Sequence, residues 1–319
     1  MKILRKLLLA SLIAALLIAG TGCANRGAQN REEPNTHQAD APAYQTALEV
    51  EGAQVQNPEP LLTPPPPEPE QPTAPSTPDF DAISQLSGQA HGWGHGGPVD
   101  SLNRSEGALL FQRRYGHLDA HFIKPDSQQI YLTFDQGYEY GFTPVILDAL
   151  RDKGVPGAFF LTMHFVREHP DLVQRMIDEG HVLANHSTRH RNFPSMTLQD
   201  AADDVMELHN HILENFGVEM HLFRFPEGSF SERCLALMQS IGYTSVFWSF
   251  AYRDWETDNQ PLTIDAVNLM TSRAHPGAIY LLHSVSRTNA EVLGEVIDIL
   301  RSKGFEFGRL DLPAPGAVQ

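Results

Sequence analysis

From Gln129 onward the chain repeats one unit: an apolar segment, a turn, an amphipathic helix pattern and then a glycine. Five predicted helices end this way, each with a glycine suited to the left-handed residue past a helix end, at Gly154, Gly180, Gly217, Gly242 and Gly304. The helix starts are also marked. Thr143-Pro144 predicts an N-cap followed by proline, and Thr197 and Ser231 predict caps with an acid in the first turn. The pattern predicts helices that alternate with short apolar segments.

The apolar segments between these helices predict seven strands, most of them continuously apolar. They are Ile130–Asp135, Gly157–Thr162, His181–His186, His221–Pro226, Thr244–Phe250, Ala278–His283 and Phe305–Leu310. Apolar strands separated by helices indicate parallel strands that are covered on both faces. The predicted fold class is therefore α/β, either a barrel or a doubly wound sheet.

The start of the chain is typical of an exported protein. Basic residues within Met1–Lys6 precede an apolar run, Leu7–Gly20, that is too short to favour a transmembrane helix. The small residues before Cys23 resemble the lipobox of bacterial lipoproteins, although Gly20 stands where that motif usually has leucine. We therefore expect residues 1–22 to be a lipoprotein signal peptide and Cys23 to carry lipid. The alternative is an ordinary signal peptidase site with Cys23 incidental.

Residues 23–79 lack apolar periodicity and are rich in Gln, Asn, Glu and Pro, which predicts a disordered tether. Residues 80–128 contain a Gly and His cluster, His91-Gly92-Trp93-Gly94-His95, and we interpret them as an N-terminal flank packed on a domain of residues 129–313. Cys234 is the only other cysteine, so no intrachain disulfide is available if Cys23 carries lipid. It lies on the apolar face of a predicted helix and is expected to be inert packing.

The net charge of −16 argues against a nucleic acid partner, because phosphate binding needs clustered cations. A neutral polymer is a better candidate for the substrate.

Polar residues end the predicted strands. Asp135, His186, Arg224 and His283 stand at carboxyl ends, and Asp254 lies just beyond the fifth strand. In a barrel those ends share one mouth. A carboxylate such as Asp135, held between a strand and a loop, is a natural general base. If the residues between them form one helical turn, His186 and His190 lie on the same side, within reach of one tetrahedral metal.

Each of these residues also has a plainer interpretation. Arg224 could be an ion-pair partner, Asp254 a turn residue and His283 a core histidine with its hydrogen bonds satisfied. Two surface histidines four residues apart are commonplace. Their shared position at the strand ends favours the functional interpretation.

Five segments, in order, resemble the motifs of the polysaccharide deacetylases of carbohydrate esterase family 4, and the resemblance spans Gln129 to Leu312. They are Thr133-Phe134-Asp135-Gln136-Gly137, His186-Ser187-Thr188-Arg189-His190, Arg224-Phe225-Pro226-Glu227-Gly228, Asp254-Trp255 and Leu281-Leu282-His283. Other segments resemble the delta-lactam-biosynthetic de-N-acetylases, which act on peptidoglycan muramic acid: Gly137-Tyr138-Glu139, Ser231-Glu232-Arg233, Phe247-Trp248-Ser249, His283-Ser284-Val285-Ser286 and Asn289-Ala290-Glu291.

The resemblance implies a deformed (β/α) barrel of about seven parallel strands and hydrolysis of a sugar N-acetyl group. It implies that Asp135 is the base and that Arg224 favours its ionised form. It implies that His283 protonates the departing amine and that Asp254 orients His283.

The resemblance also implies a divalent metal ion, zinc, manganese or cobalt, on His186 and His190. Gln136 takes the place of a third ligand, where most of the wider family has aspartate and the lactam subgroup commonly has asparagine. A neutral amide oxygen is a poorer ligand than a carboxylate. We therefore expect metal binding to be weak, or to be completed by water.

For substrate binding the resemblance implies Pro226, Glu227, Trp255 and Leu281, with Trp255 and Leu281 walling the acetyl pocket. Core packing is the alternative for Trp255 and Leu281. Glu227 stands where the lactam subgroup has arginine, and an acid there would repel the lactyl carboxylate of muramic acid. Deacetylation of N-acetylglucosamine in peptidoglycan or another wall polymer therefore stays open. So does an inactive wall-binding lipoprotein, for which Gln136 is the only argument.

The expected partners are peptidoglycan glycan strands, with the membrane contacted only through the N-terminal lipid. We expect a monomer, anchored to the outer face of the cell membrane and facing the cell wall.

Overall fold

A computed structural model describes residues 78–312, all of which belong to one compact unit. The predicted signal peptide, Cys23 and the predicted tether up to residue 77 lie outside the described residues. None of the helices between residues 78 and 312 has both the length and the apolar composition of a membrane-spanning segment.

Seven parallel strands form one sheet, which curls into a half-barrel. In chain order they are β2 (Ala120–His121), β3 (Tyr131–Gln136), β4 (Gly157–Leu161), β5 (Val182–Asn185), β6 (Leu222–Phe223), β8 (Thr244–Val246) and β9 (Ile279–His283). Their order in the sheet is β2-β8-β6-β5-β4-β3-β9. Strand β3 is buried at every position, as expected of a strand covered on both faces. The predicted α/β class with about seven parallel strands is confirmed.

One predicted strand, Phe305–Leu310, is wrong. That segment contacts the sheet through an isolated bridge between Phe307 and Ile130. The seventh strand is β2 instead, which lies in the predicted flank and pairs with β8. A strand of two residues has too little length to show either alternation or an apolar run, so the sequence pattern could not identify it.

The helices are α1 (Phe80–Ser84), α2 (Glu106–Tyr115), α3 (Thr143–Lys153), α4 (Met163–Glu168), α5 (Pro170–Asp178), α6 (Leu198–Phe216), α7 (Glu232–Ser240), α8 (Thr263–Ser272) and α9 (Arg287–Ser302). Short 3₁₀ turns occur at Gly116–Leu118, Phe193–Ser195 and Pro226–Gly228. The glycines predicted to follow five of the helices all have positive φ, which confirms the predicted helix ends.

The predicted N-caps are confirmed at two of three positions. Thr197 accepts a hydrogen bond from the Asp200 backbone N–H, and Ser231 accepts one from the backbone N–H of Cys234. Cys234 itself is 5% exposed, and burial raises the pKa of its thiol, which disfavours a reactive thiolate.

Thr143 is the first residue of α3 rather than its N-cap. The Glu139 carboxylate takes over part of the capping by accepting a hydrogen bond from the Thr143 backbone N–H at 3.3 Å. The prediction was wrong because a threonine before proline can occupy either position, and the acid four residues upstream decided between them.

The predicted flank packs against the carboxyl ends of the strands. Strand β1 (His91–Gly92) pairs antiparallel with β7 (Ser229–Phe230) in a separate two-stranded sheet. The next residue, Trp93, donates its backbone N–H to Gly228 O at 2.9 Å and its indole N–H to Trp248 O at 2.9 Å. These bonds hold the flank over the mouth of the half-barrel.

Candidate active site

A cleft of about 910 Å³ opens where the strands end. It is lined by these residues singled out in the sequence: Asp135, His186, His190, Glu227, Trp255, Leu281 and His283. The other predicted site residues do not line it: Gln136, Arg224, Pro226 and Asp254 are buried. The fold therefore places some of the predicted residues where they can contact a ligand. It buries the others, which can only position or polarise the residues that line the cleft.

Asp135 and His283 are side by side in the sheet. In the pairing of β3 with β9, the Cα of Asp135 is the register partner of the Cα of His283. Directly paired residues of neighbouring strands project their side chains to the same face. A carboxylate and an imidazole that are far apart in the chain thus reach the same part of the cleft.

Arg224 holds the Asp135 carboxylate from the barrel interior. Its Nη1 donates to Asp135 Oδ1 at 2.7 Å. Its other N–H groups donate at 2.9–3.2 Å to Thr133 Oγ1, Phe247 O and Val246 O. The guanidinium lies over the ring of Phe160 at 3.9 Å and is fully buried. Its position is therefore set by the sheet.

The charge of Arg224 determines the protonation state of Asp135. Burial alone would raise the pKa of the Asp135 carboxyl, but the positive charge of Arg224, helped by that of His283 when its ring is protonated, outweighs burial and lowers that pKa. Burial lowers the pKa of Arg224, and Asp135 opposes that shift. Asp135 is accordingly an ionised carboxylate at neutral pH, as a general base must be.

His186 is neutral and presents Nε2 to the cleft. Its Nδ1 lies 2.9 Å from Arg224 O, and because a carbonyl oxygen can only accept, Nδ1 carries the proton. Burial lowers the pKa of His186 to about 4. Nε2, which keeps its lone pair, lies 3.5 Å from Asp135 Oδ2.

The ring of His190 lies beside that of His186, with centroids 4.9 Å apart. The predicted helical turn between them is wrong, because residues 186–190 form a loop in which Ser187 (φ 74°) and His190 (φ 49°) have left-handed backbone. The Ser187 hydroxyl accepts a hydrogen bond from the His190 backbone N–H at 2.8 Å. A tight loop brings the rings together where the spacing indicated a helix.

The two histidines have the chemistry of metal ligands, since a neutral imidazole with a free nitrogen binds divalent cations. Gln136 Nε2 donates to Thr143 Oγ1 at 3.4 Å, and Gln136 Oε1 is buried without a partner. Across residues 78–312 there is no group of three or more His, Cys, Asp or Glu that could hold a metal ion. His186 and His190 could therefore supply two nitrogen ligands, and Gln136 Oε1 is a neutral oxygen atom that no hydrogen bond occupies.

Asp254 holds His283 by two hydrogen bonds. Its Oδ1 accepts from His283 Nδ1 at 2.8 Å, and its Oδ2 accepts from the His283 backbone N–H at 2.7 Å. Burial by itself would lower the pKa of His283, but the Asp254 carboxylate outweighs burial and raises that pKa. Asp254 thereby favours the protonated ring of His283 and leaves Nε2 for the cleft.

Asn289 is a member of this group that the sequence did not single out as a site residue. Its Nδ2 donates to Asp254 Oδ2 at 2.6 Å and to His283 O at 3.1 Å. Its Oδ1 accepts a hydrogen bond from the Tyr252 hydroxyl. Asn289 lies on α9, the helix that follows β9. Its hydrogen bond therefore fixes the carboxylate of Asp254, which lies in the loop after β8.

The predicted substrate-binding residues differ in their placement. The ring of Trp255 is 47% exposed and lies 5.6 Å from the His283 ring, and Leu281 is buried in the cleft wall. Glu227 is exposed to the cleft with a left-handed backbone, φ 58°. Pro226 is buried beside it, in the turn that carries Glu227.

Several residues that line the cleft were not predicted as site residues. They are Trp93 and His95 from the flank, together with Tyr138, His164, Arg189 and Arg253. The Gly and His cluster was the only sign for the flank residues. Tyr138 and Arg189 stand inside segments that carry the family resemblance, and Arg253 precedes Asp254 directly, so their positions next to predicted site residues were the signal available.

Comparison with known proteins finds a family and relatives that are named as deacetylases of polysaccharides or peptidoglycan. Residues 123–246 match the family described as polysaccharide deacetylase. Peptidoglycan-N-acetylmuramic acid deacetylase PdaA of Bacillus subtilis is 44% identical over 195 residues, which is 60% of this chain and 74% of that protein. Peptidoglycan-N-acetylglucosamine deacetylase PgdA of Listeria monocytogenes is 29% identical over 185 residues, 58% of this chain and 38% of that protein.

Among solved structures, that of Bacillus subtilis PdaA, a family 4 carbohydrate esterase, is similar with a TM-score of 0.66 and 38% identity. The match covers 70% of this chain and 95% of that chain. The similarity therefore extends over the half-barrel and nearly the whole of the related fold.

Proposed function

Because the chain belongs to the polysaccharide deacetylase family, we propose that it removes the N-acetyl group of N-acetylmuramic acid in peptidoglycan, which forms the precursor of muramic delta-lactam. The observation that carries this proposal is the pairing of Asp135 with His283, each backed by a buried partner of opposite charge. An ionised carboxylate and an imidazole whose pKa is raised, side by side in one cleft, suit amide hydrolysis.

In the proposed reaction Asp135 accepts a proton from the water that attacks the acetyl carbonyl carbon. The carbon–nitrogen bond then breaks, and protonated His283 donates a proton to the departing amine. The products are acetate and a free amino sugar. Arg224 keeps Asp135 ionised before each cycle, and Asp254 holds His283 by Nδ1, so that Nε2 is the donor.

We propose that His186 and His190 hold a divalent cation, with Gln136 Oε1 or water as further ligands. When bound, zinc, manganese or cobalt would polarise the acetyl carbonyl and the attacking water. The chain prepares the ligands, since the carbonyl of Arg224 orients His186 and burial keeps His186 neutral.

Leu281 and Trp255 are proposed to wall the pocket for the acetyl methyl group. Leu281 is apolar and pairs with Thr133, two residues before the proposed base in β3. The ring of Trp255 lies beside that of His283, at the mouth of the same cleft. Pro226, which does not line the cleft, is proposed to act on substrate binding through the position of Glu227.

Glu227 favours a second candidate, deacetylation of N-acetylglucosamine. A carboxylate exposed in the cleft would repel the lactyl carboxylate of muramic acid, whereas N-acetylglucosamine is neutral. Arg189 and Arg253 line the same cleft, so positive charges that could attract the lactyl carboxylate are also present. Arg189 pairs with Glu207 at 2.6 Å and Arg253 pairs with Glu256.

Acetate release from purified glycan strands tests the function, and mass analysis of the digested product identifies the sugar. Deacetylated muramic acid is the expected product. Deacetylated glucosamine would establish the second candidate. The matched variant Glu227→Gln should raise the activity on muramic acid relative to glucosamine several-fold. Absence of acetate with every metal tried would leave a wall-binding protein as the remaining candidate.

We also propose that the protein is exported and anchored by lipid on Cys23, which places it at the outer face of the membrane, facing the wall. Replacement Cys23→Ala should release the protein from the membrane without changing its activity on glycan strands. Cell fractionation after feeding with labelled lipid measures the first effect. Wild-type protein that takes up no label would contradict the proposal.

A further inference from the structure

Two exposed aromatic rings line the cleft. Of the large apolar side chains that residues 78–312 expose to solvent, Tyr138 (63%) and Trp255 (47%) are the ones that belong to the cleft wall. Trp255 is accounted for by its contact with His283 and by its proposed place beside the acetyl group. Tyr138 has no role in the proposed reaction, although it stands only three positions after Asp135.

The two rings contact elements on opposite sides of strand β3. Trp255 contacts His283, at the end of β9. Tyr138 contacts His164, with ring centroids 4.9 Å apart, and His164 lies in the helix that directly follows β4. In the sheet, β3 lies between β4 and β9. The Tyr138–His164 pair is therefore a second aromatic surface in the cleft, separate from the Trp255–His283 pair.

The size of the cleft leaves room for this second surface to be used. At about 910 Å³ the cleft is near the upper end of the range for small-molecule sites. The faces of a pyranose ring present C–H groups, and an aromatic ring with a polar tip can cover such a face while remaining stable in water when the ligand is absent. Ligand pockets are lined mainly by apolar and aromatic side chains, so an exposed ring inside a cleft is a candidate binding surface.

We propose that Tyr138, packed on His164, is a subsite for the sugar next to the one that loses its acetyl group. The Tyr138–His164 pair then contributes the part of glycan-strand binding that lies outside the acetyl pocket. This inference rests on the proposed function, since it assigns the neighbouring position on the same substrate. Either wall sugar can occupy the subsite, because stacking uses the ring face common to both.

Tyr140 provides a matched control for Tyr138. It is the same residue type, two positions away and 57% exposed, but it does not line the cleft. KM is measured on N-acetylated glycan fragments of two sugars and of six or more, for four proteins: wild type, Tyr138→Ala, Tyr138→Phe and Tyr140→Ala. In wild type, KM should fall as the fragment lengthens.

Tyr138→Ala should raise KM for the long fragments about tenfold and remove most of the length dependence, while Tyr138→Phe and Tyr140→Ala should behave as wild type. Equal effects of Tyr138→Ala and Tyr140→Ala would overturn the subsite. So would a loss in Tyr138→Ala that is the same for short and long fragments, because a stacking subsite acts only on a sugar that is present.

Binding measured without turnover separates this inference from the proposed function. The long fragments are titrated into the same proteins, and the fluorescence of the cleft tryptophans reports occupancy. Weaker binding in Tyr138→Ala alone supports the subsite even if no variant releases acetate, a result that would refute the proposed function only. Acetate release with identical binding curves for all four proteins would refute the subsite only.

Discussion

The cleft has a base side and an acid side, and on each side a buried charged residue shifts the pKa of the reacting group. The base side is Asp135 with Arg224 and His186. The acid side is His283 with Asp254 and Asn289. On the base side a buried cation lowers the pKa of a carboxyl. On the acid side a buried carboxylate raises the pKa of an imidazole. In each case the reacting group faces the cleft, and a partner that does not line it sets the protonation state.

The two sides differ in what holds the partner. Arg224 is tied to the carbonyl groups of Val246 and Phe247, at the end of β8, and to a β3 side chain, so it is also part of the barrel core. Asp254 lies in a loop and is held by a strand end and by Asn289 of α9. Catalysis and folding stability should therefore be coupled on the base side and separable on the acid side.

Replacement Arg224→Met should reduce activity and stability more than any other single replacement in the site. It leaves the Asp135 carboxylate buried without its partner, which costs about 3–5 kcal/mol of stability, and it raises the pKa of the base. Activity should fall by about a thousandfold or more. Acetate release and urea denaturation measure the two losses. A stable, inactive variant would break the coupling proposed for the base side.

Asp254→Asn should lower kcat by about a hundredfold or more, with a much smaller loss of stability than Arg224→Met. Protonated His283 is required, so the rate of wild type falls as pH rises through the pKa of His283, which Asp254 holds above 6.5. Loss of the Asp254 charge lowers that pKa, and the alkaline fall should begin at lower pH. A pH–rate profile with an unmoved alkaline limb would show that Asp254 does not act through His283.

Asn289→Ala should lower kcat about tenfold, because it removes one of the hydrogen bonds that hold Asp254 while leaving the carboxylate itself. The alkaline limb should stay close to that of wild type, since the charge beside His283 is kept. Tyr252→Phe, which removes only the hydrogen bond to Asn289, should have a smaller effect. A larger loss of kcat for Tyr252→Phe than for Asn289→Ala would contradict the inference that Tyr252 acts on Asp254 through Asn289.

Gln136→Asp tests the base side alone. A carboxylate in place of the unpartnered amide oxygen should tighten metal binding about tenfold, and His190→Ala should weaken it. Zinc, manganese and cobalt are titrated into chelator-stripped wild type and both variants, and affinity is the readout. Identical curves for the three proteins, or activity that survives full chelation and His190→Ala, would show that the ion is not catalytic.

The smallest effect expected is on stability in acid. His186 is buried and His95 and His121 are partly buried, and this burial lowers the pKa of each to about 4, whereas in the unfolded chain their pKa lies near 6.5. The unfolded state therefore binds more protons between pH 6.5 and 4, and stability should be lost as pH falls through that window. Melting temperature against pH measures the slope. His121→Gln, outside the cleft, should reduce that slope without altering the pH–rate profile.

Much of the site was accessible from the sequence because the reactive groups stand at the ends of strands. Asp135, His186, Arg224 and His283 each follow an apolar run, and parallel strands bring such ends together. Asn289 and Tyr138 gave no such sign, because one lies within a helix and the other in a loop. The 186–190 loop was misassigned because spacing alone does not distinguish a helical turn from a loop with left-handed residues.

Periodicity along the chain was enough to establish the α/β class, the helix ends at glycine and the strands that carry the candidate base and acid. These depend on local backbone preference and on apolar pattern, which neighbouring residues carry. Three other features depended on tertiary contacts: the edge strand Ala120–His121, the hydrogen bond between Asp254 and Asn289, and the position of Trp93 over the mouth of the half-barrel. Such contacts join residues far apart in the chain, and their geometry exists only once the sheet has curled.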